Sequence, residues 1–432
     1  MKPKLLTTLP GYTARQFAGD AGAGVTVAMV ALPLSIAIAI ASGATPAAGL
    51  VTAVVAGFLI SALGGSRVQI GGPTGAFIVV VYDVIAAHGF EGLLLATLMA
   101  GLILVVAALA RAGRLIALIP EAVIEGFTVG IAIVIATSQL KDLLGLETGR
   151  LPADFLAQLP ALWSARATLS VSAVLIGVGT VIAIFALRKF APRVPGTIIA
   201  VALASAAVAF LPLPVESVGS RYGALPGGLP WPSLPAISVA KISELLPSAL
   251  IIAFLAGVES LLSAIVADRM ISGAHRSNAE LMAQGVANIA SPLFGGLPAT
   301  GAIARTATNA RAGGRTPVAG IVHAAVILIV VAFAAPLASY LAMPALAGLL
   351  LVTAWTMSEP HRWPERLRAP PPERFLLLLT MALTVFADLT VAIAVGTAIG
   401  LAQRLAKSGT PPAEWKPPER LRCGASINQQ IR

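Results

Sequence analysis

Long apolar stretches separated by short polar turns make up most of the chain. Residues 21 to 66 contain no ionisable side chain and break once, at a Ser-Gly-Ala-Thr-Pro turn. Residues 316 to 358 follow the same pattern, with His323 as their one histidine and a break near Pro336 or Pro344. A helix needs about 20 apolar residues to cross the hydrocarbon of a bilayer, so each stretch predicts two crossing helices.

The remaining apolar runs predict single spans, a short pair and two segments too short to cross alone. The single spans lie at about 92–110, 115–140, 167–187, 194–215, 245–267 and 279–294, the pair at 375–403, and the short segments at 73–87 and 300–311. These runs predict an all-α integral membrane protein with about fourteen segments. The expected division is a cytosolic N-terminal segment (1–18), a transport domain (19–405, with repeats at about 19–215 and 241–405) and a short polar cytosolic tail (406–432).

Charge placement agrees with a membrane topology. The 432 residues are 57% hydrophobic and 11% charged, which excludes an ordinary soluble domain. A net charge of +10 could indicate a nucleic-acid partner, but Lys and Arg are confined to short loops between apolar runs. An even number of segments puts both termini on one side, and most Lys and Arg then fall on that side, as the positive-inside rule requires. The pattern predicts an inner-membrane protein with both termini cytoplasmic and no nucleic-acid partner.

The residues that carry enzyme chemistry are sparse. Cys423 is the single cysteine and lies in the polar tail, and the four histidines are far apart without metal-ligand spacing. No nucleophile and base pair stands out along the chain. The sequence therefore predicts neither an enzyme nor a bound cofactor or metal.

Both short segments begin with glycine and proline where a crossing helix would continue. Gly71-Gly-Pro-Thr-Gly-Ala76 opens the first and Gly296-Leu-Pro-Ala-Thr-Gly-Ala302 opens the second, and each is third among the seven segments of its half. Because seven is odd, the second copy enters from the opposite side, which is an inverted repeat. Two half-helices then meet at the midplane, where their free N–H groups favour an anion. The other interpretation is that these glycines only let ordinary helices pack closely.

Ordered motifs along nearly the whole chain resemble the sulfate permease (SulP) family of anion transporters. The matching stretches are Val30–Gly43, Gly64–Phe77, Ile119–Phe127, Gly257–Asp268, Gln284–Gly296, Ala304–Asn309 and Gly313–Gly320. The resemblance implies a core and a gate domain of seven plus seven inverted helices, and an anion moved by an elevator-like shift of the core. The family's usual cytosolic STAS domain has no counterpart in the short tail, so a homodimer, often supported by that domain, stays open.

The resemblance also assigns site residues. The substrate cradle would consist of Gln69, Pro73, Thr74, Gly75, Ala76 and Phe77 on one side and Thr300, Gly301, Ala302, Ile303 and Arg305 on the other. Glu259 and Ser263 match the acidic coupling position and a hydroxyl one helical turn away. The guanidinium of Arg305 would lend positive potential to the pocket or reach to the cytoplasmic interface, and Gln69 would orient the substrate or hold a loop.

Glu259 lies inside an apolar run, where an ionised carboxylate is expensive unless it is paired, hydrated or protonated. It could take a proton alongside the anion, or it could be a structural carboxylate held by Arg305. A sodium site at Glu259 and Ser263 is a third interpretation. By contrast, Glu121 and Glu125 begin a helix near the cytoplasm, where acidic residues cap and complement the helix dipole.

Several functions stay open at this point. The pattern favours proton-coupled secondary transport of a small anion such as sulfate, bicarbonate or a dicarboxylate. The alternatives are a sodium-coupled bicarbonate symporter, an anion exchanger and a passive anion channel, whose pore would use the same dipoles. A nucleobase symporter would place polar or acidic side chains where this chain has Thr300 to Ile303.

Overall fold

The computed structural model describes residues 2–114, 120–149, 151–191, 194–211, 213–387 and 389–407, and most of them are helical. The first half contains α1 (Leu5–Thr8), α2 (Ala14–Ala41), α3 (Pro46–Leu63), α4 (Ile78–Leu109), α5 (Glu121–Leu144), α6 (Phe155–Ser164), α7 (Val171–Phe190), α8 (Gly196–Phe210) and α9 (Val218–Tyr222). The second half contains α10 (Val239–Ile271), α11 (Ser277–Leu293), α12 (Ile303–Arg311), α13 (Val318–Ala338), α14 (Met343–Met357), α15 (Trp363–Arg368), α16 (Pro371–Phe386) and α17 (Leu389–Lys407). Two short strands, β1 (Gly71–Gly72) and β2 (Thr300–Gly301), interrupt the helices.

Seven helices within the described residues are long and apolar enough to cross a membrane. They are Ala14–Ala41, Pro46–Leu63, Gly75–Leu109, Glu121–Leu144, Val171–Phe190, Val239–Ile271 and Val318–Ala338. The third of them is two helices joined at Gly89, whose left-handed φ of 72° breaks the helical path. Counting those two parts separately, with α8, α11, α12, α14, α16 and α17, the described chain has the fourteen predicted segments.

The helices form two sets that pack mainly within themselves. The core set is α2, α3, α4, α10, α11, α12 and α13, and the gate set is α5, α7, α8, α14, α16 and α17. The packing repeats between the halves: α11 lies on α4 as α3 lies on α13, and α16 lies on α5 as α14 lies on α7. This correspondence relates four segments of the first half to four of the second, as the predicted seven-plus-seven repeat requires.

Local sequence explains where several helices begin and end. The Thr13 hydroxyl accepts the N–H of Gln16 while the Gln16 side chain accepts the N–H of Thr13, a capping box that starts α2. Pro46 occupies the first turn of α3, where its missing N–H costs nothing. Gly145 ends α5 in the left-handed conformation that suits glycine.

Some predicted limits were wrong. The span at 245–267 extends to Val239–Ile271, because polar residues at both ends continue the helix beyond its apolar middle. The span at about 92–110 agrees with the second part of α4, which ends at Leu109, whereas α5 runs to Leu144 instead of 140. The break expected near Pro336 or Pro344 lies between them, since α13 ends at Ala338 with Pro336 in its last turn. Residues 115–119 of one span, and most of the predicted tail with Cys423, lie outside the described residues.

The capping interpretation of the two acidic residues at the start of α5 was incomplete. Glu125 pairs with Arg362 at 2.8 Å and with Arg366 at 3.2 Å, and Glu121 lies 3.6 Å from Arg362. Arg366 is 6% exposed and also pairs with Glu359 at 2.9 Å. These ion pairs join the start of α5 to the segment between α14 and α16 within the gate set.

Candidate anion site between the two half-helices

The two short strands bring the two half-helices together. β1 and β2 are antiparallel, with Gly71 opposite Gly301 and Gly72 opposite Thr300. The N–H of Ala302 extends the pairing by donating to the carbonyl of Ile70 at 2.8 Å. A 3-10 turn at 75–77 leads from β1 into α4, and β2 leads directly into α12. The N-termini of α4 and α12 therefore both follow the paired strands β1 and β2, although 225 positions of sequence separate Ile78 from Ile303.

Close backbone approach at the paired strands requires glycine. Gly72 has a φ of 150°, and a Cβ there would meet Nη1 of Arg305. A Cβ on Gly301 would overlap the side-chain amide of Gln69. Larger residues at either position would push the strands or their neighbours apart.

Most of the predicted cradle lies in the protein interior around the paired strands. Thr74 is 6% exposed, Phe77 2% and Thr300 0%, and Pro73, Gly75, Gly301 and Ala302 are likewise buried. Ile303 differs, because its side chain is 38% exposed. The structure therefore brings the predicted cradle residues of both halves together, with Ile303 directed away from the interior.

Both threonines of the repeated motif donate to α10, but to different groups. The hydroxyl of Thr74 donates to Oε2 of Glu259 at 3.0 Å. The hydroxyl of Thr300 donates to the backbone carbonyl of Ala256 at 3.0 Å. Glu259 is of intermediate exposure as a residue, and its carboxylate contacts the start of the first half-helix through Thr74. The equivalent residues of the two halves therefore have different chemical surroundings.

Arg305 lies behind the cradle. Its side chain is 2% exposed, and Nη2 donates to the carbonyl of Pro73 at 2.6 Å and to Oγ of Ser35 at 3.4 Å. Its Nε and Nη1 have no hydrogen-bond partner within the described residues. No ion pair within 4.0 Å joins Arg305 to Glu259, two residues that the structure describes fully. The guanidinium of Arg305 and the carboxyl group of Glu259 thus flank the half-helix N-termini separately.

The other two predicted site residues contact neighbouring side chains of the core. The amide Nε2 of Gln69 donates to Oγ of Ser260 at 2.8 Å and to the carbonyl of Ser260 at 3.2 Å. The hydroxyl of Ser263 is 3.1 Å from that of Thr306, which also accepts the N–H of Ile70 at 3.1 Å. These hydrogen bonds attach the residues just before β1 to α10, directly through Gln69 and indirectly through Ser263 and Thr306.

A cavity of about 270 Å³ separates the core from the gate beside the first half-helix. Its lining includes Ile40 of α2, Ile78 and Tyr82 of α4, and Ile135 and Gln139 of α5. The hydroxyl of Tyr82 donates to the carbonyl of Leu151 at 2.5 Å, which joins α4 to the segment after α5. Within the described part of the chain, no cluster of three or more His, Cys, Asp or Glu side chains could hold a metal ion.

Comparison with known proteins settles the family. The model of the sulfate permease family matches residues 17–380. The chain belongs to this family. YvdB of Bacillus subtilis, a candidate sulfate transporter by its name, is 44% identical over 387 residues, which are 89% of this chain and 73% of YvdB. The bicarbonate transporter BicA of Picosynechococcus is 33% identical over 396 residues, 88% of this chain and 69% of BicA.

Solved structures of the family agree with the fold. The transmembrane domain of a cyanobacterial bicarbonate transporter BicA matches with a TM-score of 0.79 and 32% identity, covering 88% of this chain and 98% of that domain. The murine anion transporter Slc26a9 in its inward-facing state matches with a TM-score of 0.84 at 18% identity, over 93% of this chain and 71% of that one, which shows the fold alone. The predicted resemblance and the all-α membrane fold are confirmed, and the family consists of transporters and not enzymes.

Sequence analysis missed a set of buried polar side chains on α11. Glu280, Gln284, Asn288 and Ser291 are each at most 1% exposed. Their spacing of four, four and three residues puts them on one helical face. That spacing was the available signal, but the run was interpreted only as an apolar span.

Proposed function

We propose that this protein is a secondary transporter that moves a small oxyanion, sulfate or bicarbonate, across a bacterial inner membrane. The observation that carries the proposal is the pairing of β1 with β2, which joins the N-termini of two half-helices inside the core. The first turns of the two half-helices and the positive ends of their dipoles converge there, and such termini bind anions in many proteins. The relatives named for bicarbonate and sulfate transport support these two substrates.

In this proposal the side chains around the paired strands β1 and β2 have different roles. Thr74 and the N–H groups that follow it form the first wall of the anion site, and Thr300 to Ala302 form the second. Arg305 supplies positive potential through the backbone of Pro73, to which it donates at 2.6 Å. A buried guanidinium acts over a longer distance than it would in water, because the surrounding dielectric constant is low.

Glu259 is the proposed coupling residue. Glu259 is of intermediate exposure as a residue, and its carboxylate accepts the hydroxyl of Thr74, so one hydrogen bond links the proton-binding group to the anion wall. Proton coupling is preferred over sodium because the hydroxyl of Ser263 contacts Thr306 at 3.1 Å, which leaves Glu259 and Ser263 with different partners. A passive channel has no evident use for a carboxylate at this position.

Transport is proposed to follow an elevator-like movement of the core set of helices against the gate set. The cavity beside α4 and α5 lies along the boundary between the two sets, where such a movement would expose the anion site. The basic loops support a topology with both termini in the cytoplasm. Residues 19–405 would form the transport domain, and 406–432 a short cytosolic tail.

The test is uptake of labelled sulfate or bicarbonate into proteoliposomes with and without an inward proton gradient. The parent should accumulate one of these anions only with the gradient, and Glu259→Gln should lose the dependence on the gradient. Glu244→Gln is the matched control, because Glu244 lies on the same helix with its side chain 61% exposed. It should behave like the parent.

Two results would count against the proposal. Uptake that ignores the gradient in parent and Glu259→Gln alike would make the protein a uniporter, exchanger or channel with a structural Glu259. A sodium gradient that drives uptake where a proton gradient does not would assign the coupling to sodium.

A further inference from the structure

We infer that α11 positions both half-helix N-termini. Glu280 and Asn288 are the positioning residues, and they set the distance between the two N-termini at the anion site. The inference rests on the proposed function of that site. It starts from the four polar side chains on one face of α11, all of them buried and none of them part of the cradle.

Glu280 binds the backbone of the segment that leads into β1 and the first half-helix. Its Oε2 accepts the backbone N–H groups of Gly65 at 2.9 Å and Ser66 at 3.2 Å. Its Oε1 accepts the hydroxyl of Ser260 at 3.1 Å and the amide of Gln284 at 3.0 Å. Four donors therefore converge on one carboxylate that is 1% exposed, which is what a buried charge requires to remain in the interior.

Asn288 likewise binds the backbone of the segment that leads into β2 and the second half-helix. Its Oδ1 accepts the N–H of Ala299 and its Nδ2 donates to the carbonyl of Ala299, each at 2.8 Å. The side chain thus pairs with Ala299 as a neighbouring strand would, directly before β2. One turn further on, Ser291 donates to the carbonyl of Leu297 at 2.8 Å.

We call the contacts of Glu280 with Gly65 and Ser66 the first clamp, and those of Asn288 with Ala299 the second clamp. The two clamps are connected along α11, and the first is also connected to β1 through Ser260. Gln284 donates to Glu280 with its side chain, and its backbone carbonyl accepts Nδ2 of Asn288 at 2.8 Å. Ser260, which donates to Glu280, also accepts Nε2 of Gln69 just before β1. A rigid helix with one clamp for each half-helix fixes the distance between the two N-termini, and that distance decides which anion both can contact at once.

Hydrogen–deuterium exchange of the purified full chain tests the clamps without reference to transport. Glu280→Ala should speed exchange in peptides covering 64–72, and Asn288→Ala in peptides covering 295–301, each by at least about tenfold if the local hydrogen bonds open. Glu280→Gln keeps the shape and part of the acceptor capacity, so it should lie between parent and Glu280→Ala. Asn278→Ala is the control on the same helix, because Asn278 accepts the N–H of Gly113 and touches neither clamp.

Competition by unlabelled sulfate and bicarbonate against the labelled anion that the parent takes up tests the consequence. A change in spacing should alter the ratio of their half-inhibiting concentrations by at least about threefold in Asn288→Ala, since specificity is a difference of affinities. Loss of folded protein alone would lower the maximal rate and leave that ratio unchanged.

Unchanged exchange in 64–72 and 295–301, or a change no larger than in Asn278→Ala, would overturn the inference. Faster exchange with a constant ratio would also overturn it, because α11 would then support stability and not the site. If the parent takes up neither anion, the proposed function fails, and the positioning role is judged on the exchange data alone.

Discussion

Replacing Gly101 with alanine tests whether the contact between α4 and α11 tolerates any increase in separation. A Cβ built on Gly101 would lie 2.7 Å from the backbone N of Ile289 and 2.8 Å from the carbonyl of Gly285. A Cβ on Gly285 would in turn lie 2.8 Å from the backbone N of Val105. The three nearest neighbours of a Cβ on Gly101 are all backbone atoms of the facing helix, so no side chain can rotate away there. A Cβ on Gly285 would also meet Cγ2 of Val105 at 2.7 Å.

The size of the effect follows from these distances. An ordinary contact of about 3.5 Å requires the helices to separate by about 0.7 Å at the crossing point. A gap of that size removes a quarter to a half of the dispersion energy of each neighbouring contact. We expect Gly101→Ala to lower the free energy of unfolding by about 1 to 3 kcal/mol, the usual range for an overpacked core.

The matched control is Gly179→Ala in α7, because a Cβ at Gly179 has no neighbour within 4 Å. This change should be neutral or stabilise the helix by up to about 1 kcal/mol. Gly285→Ala should resemble Gly101→Ala, and the double variant should cost less than the sum by about 1 kcal/mol, because one separation accommodates both methyl groups.

Unfolding in detergent, followed by the loss of helical circular dichroism, measures the four variants against the parent. Uptake should fall in Gly101→Ala even where the protein stays folded, because a displaced α11 moves both clamps on the anion site. Equal stability of Gly101→Ala and Gly179→Ala would refute the packing argument. Strict additivity of Gly101→Ala and Gly285→Ala would show that the two glycines do not share one contact.

Two further perturbations concern charged groups at the ends of the helices. Glu125→Gln should lower the free energy of unfolding by about 1 to 2 kcal/mol, between the values for exposed and buried ion pairs, because Arg366 loses its 3.2 Å partner. Glu365→Gln should change it by less than about 0.5 kcal/mol, since that carboxylate is 78% exposed; equal effects would contradict the assignment. Burial, and then the hydrogen bond from its hydroxyl to Asp20, raise the pKa of Tyr12 to about 12. Asp20→Asn should bring that pKa toward the usual tyrosine value of about 10, read from phenolate absorbance against pH, and an unchanged titration would leave burial as the sole cause.

The sequence predicted the fold well because its signals are local. A crossing helix is recognised from about 20 consecutive apolar residues. A half-helix is recognised from a glycine and proline motif at its start. Thr74 and Thr300 were placed in one site by their matching motifs, and the pairing of β1 with β2 brings them together. The helix ends were less certain because polar residues extend α10 beyond its apolar run.

The buried polar contacts could not be predicted in the same way, because their partners are far apart in sequence. Glu280 binds backbone groups 214 and 215 positions earlier, and Asp20 accepts the N–H groups of Arg315 and Thr316, 295 and 296 positions later. The partners are main-chain atoms, which carry no residue-specific signal. Only the helical spacing of the side chains on α11 marks one buried polar face.

The two halves share a backbone plan but not the chemistry around their half-helices. The first helix of each repeat reaches across to the half-helix of the other: Glu259 of α10 contacts Thr74, and Ser35 of α2 contacts Arg305. One crossing thus brings a carboxylate to the first half-helix, and the other brings a hydroxyl to a buried guanidinium on the second.

In the proposed cycle this difference matters more than the shared Thr-Gly-Ala motif. In that cycle the carboxylate gains one proton when the anion binds, which offsets the single charge of bicarbonate or one of the two charges of sulfate, and the guanidinium keeps its charge throughout. A core whose net charge changes little on loading meets a smaller electrostatic barrier inside the membrane. In this proposal the repeated backbone builds the anion site, and the unequal side chains of α2 and α10 place the proton-binding carboxylate beside the first half-helix only.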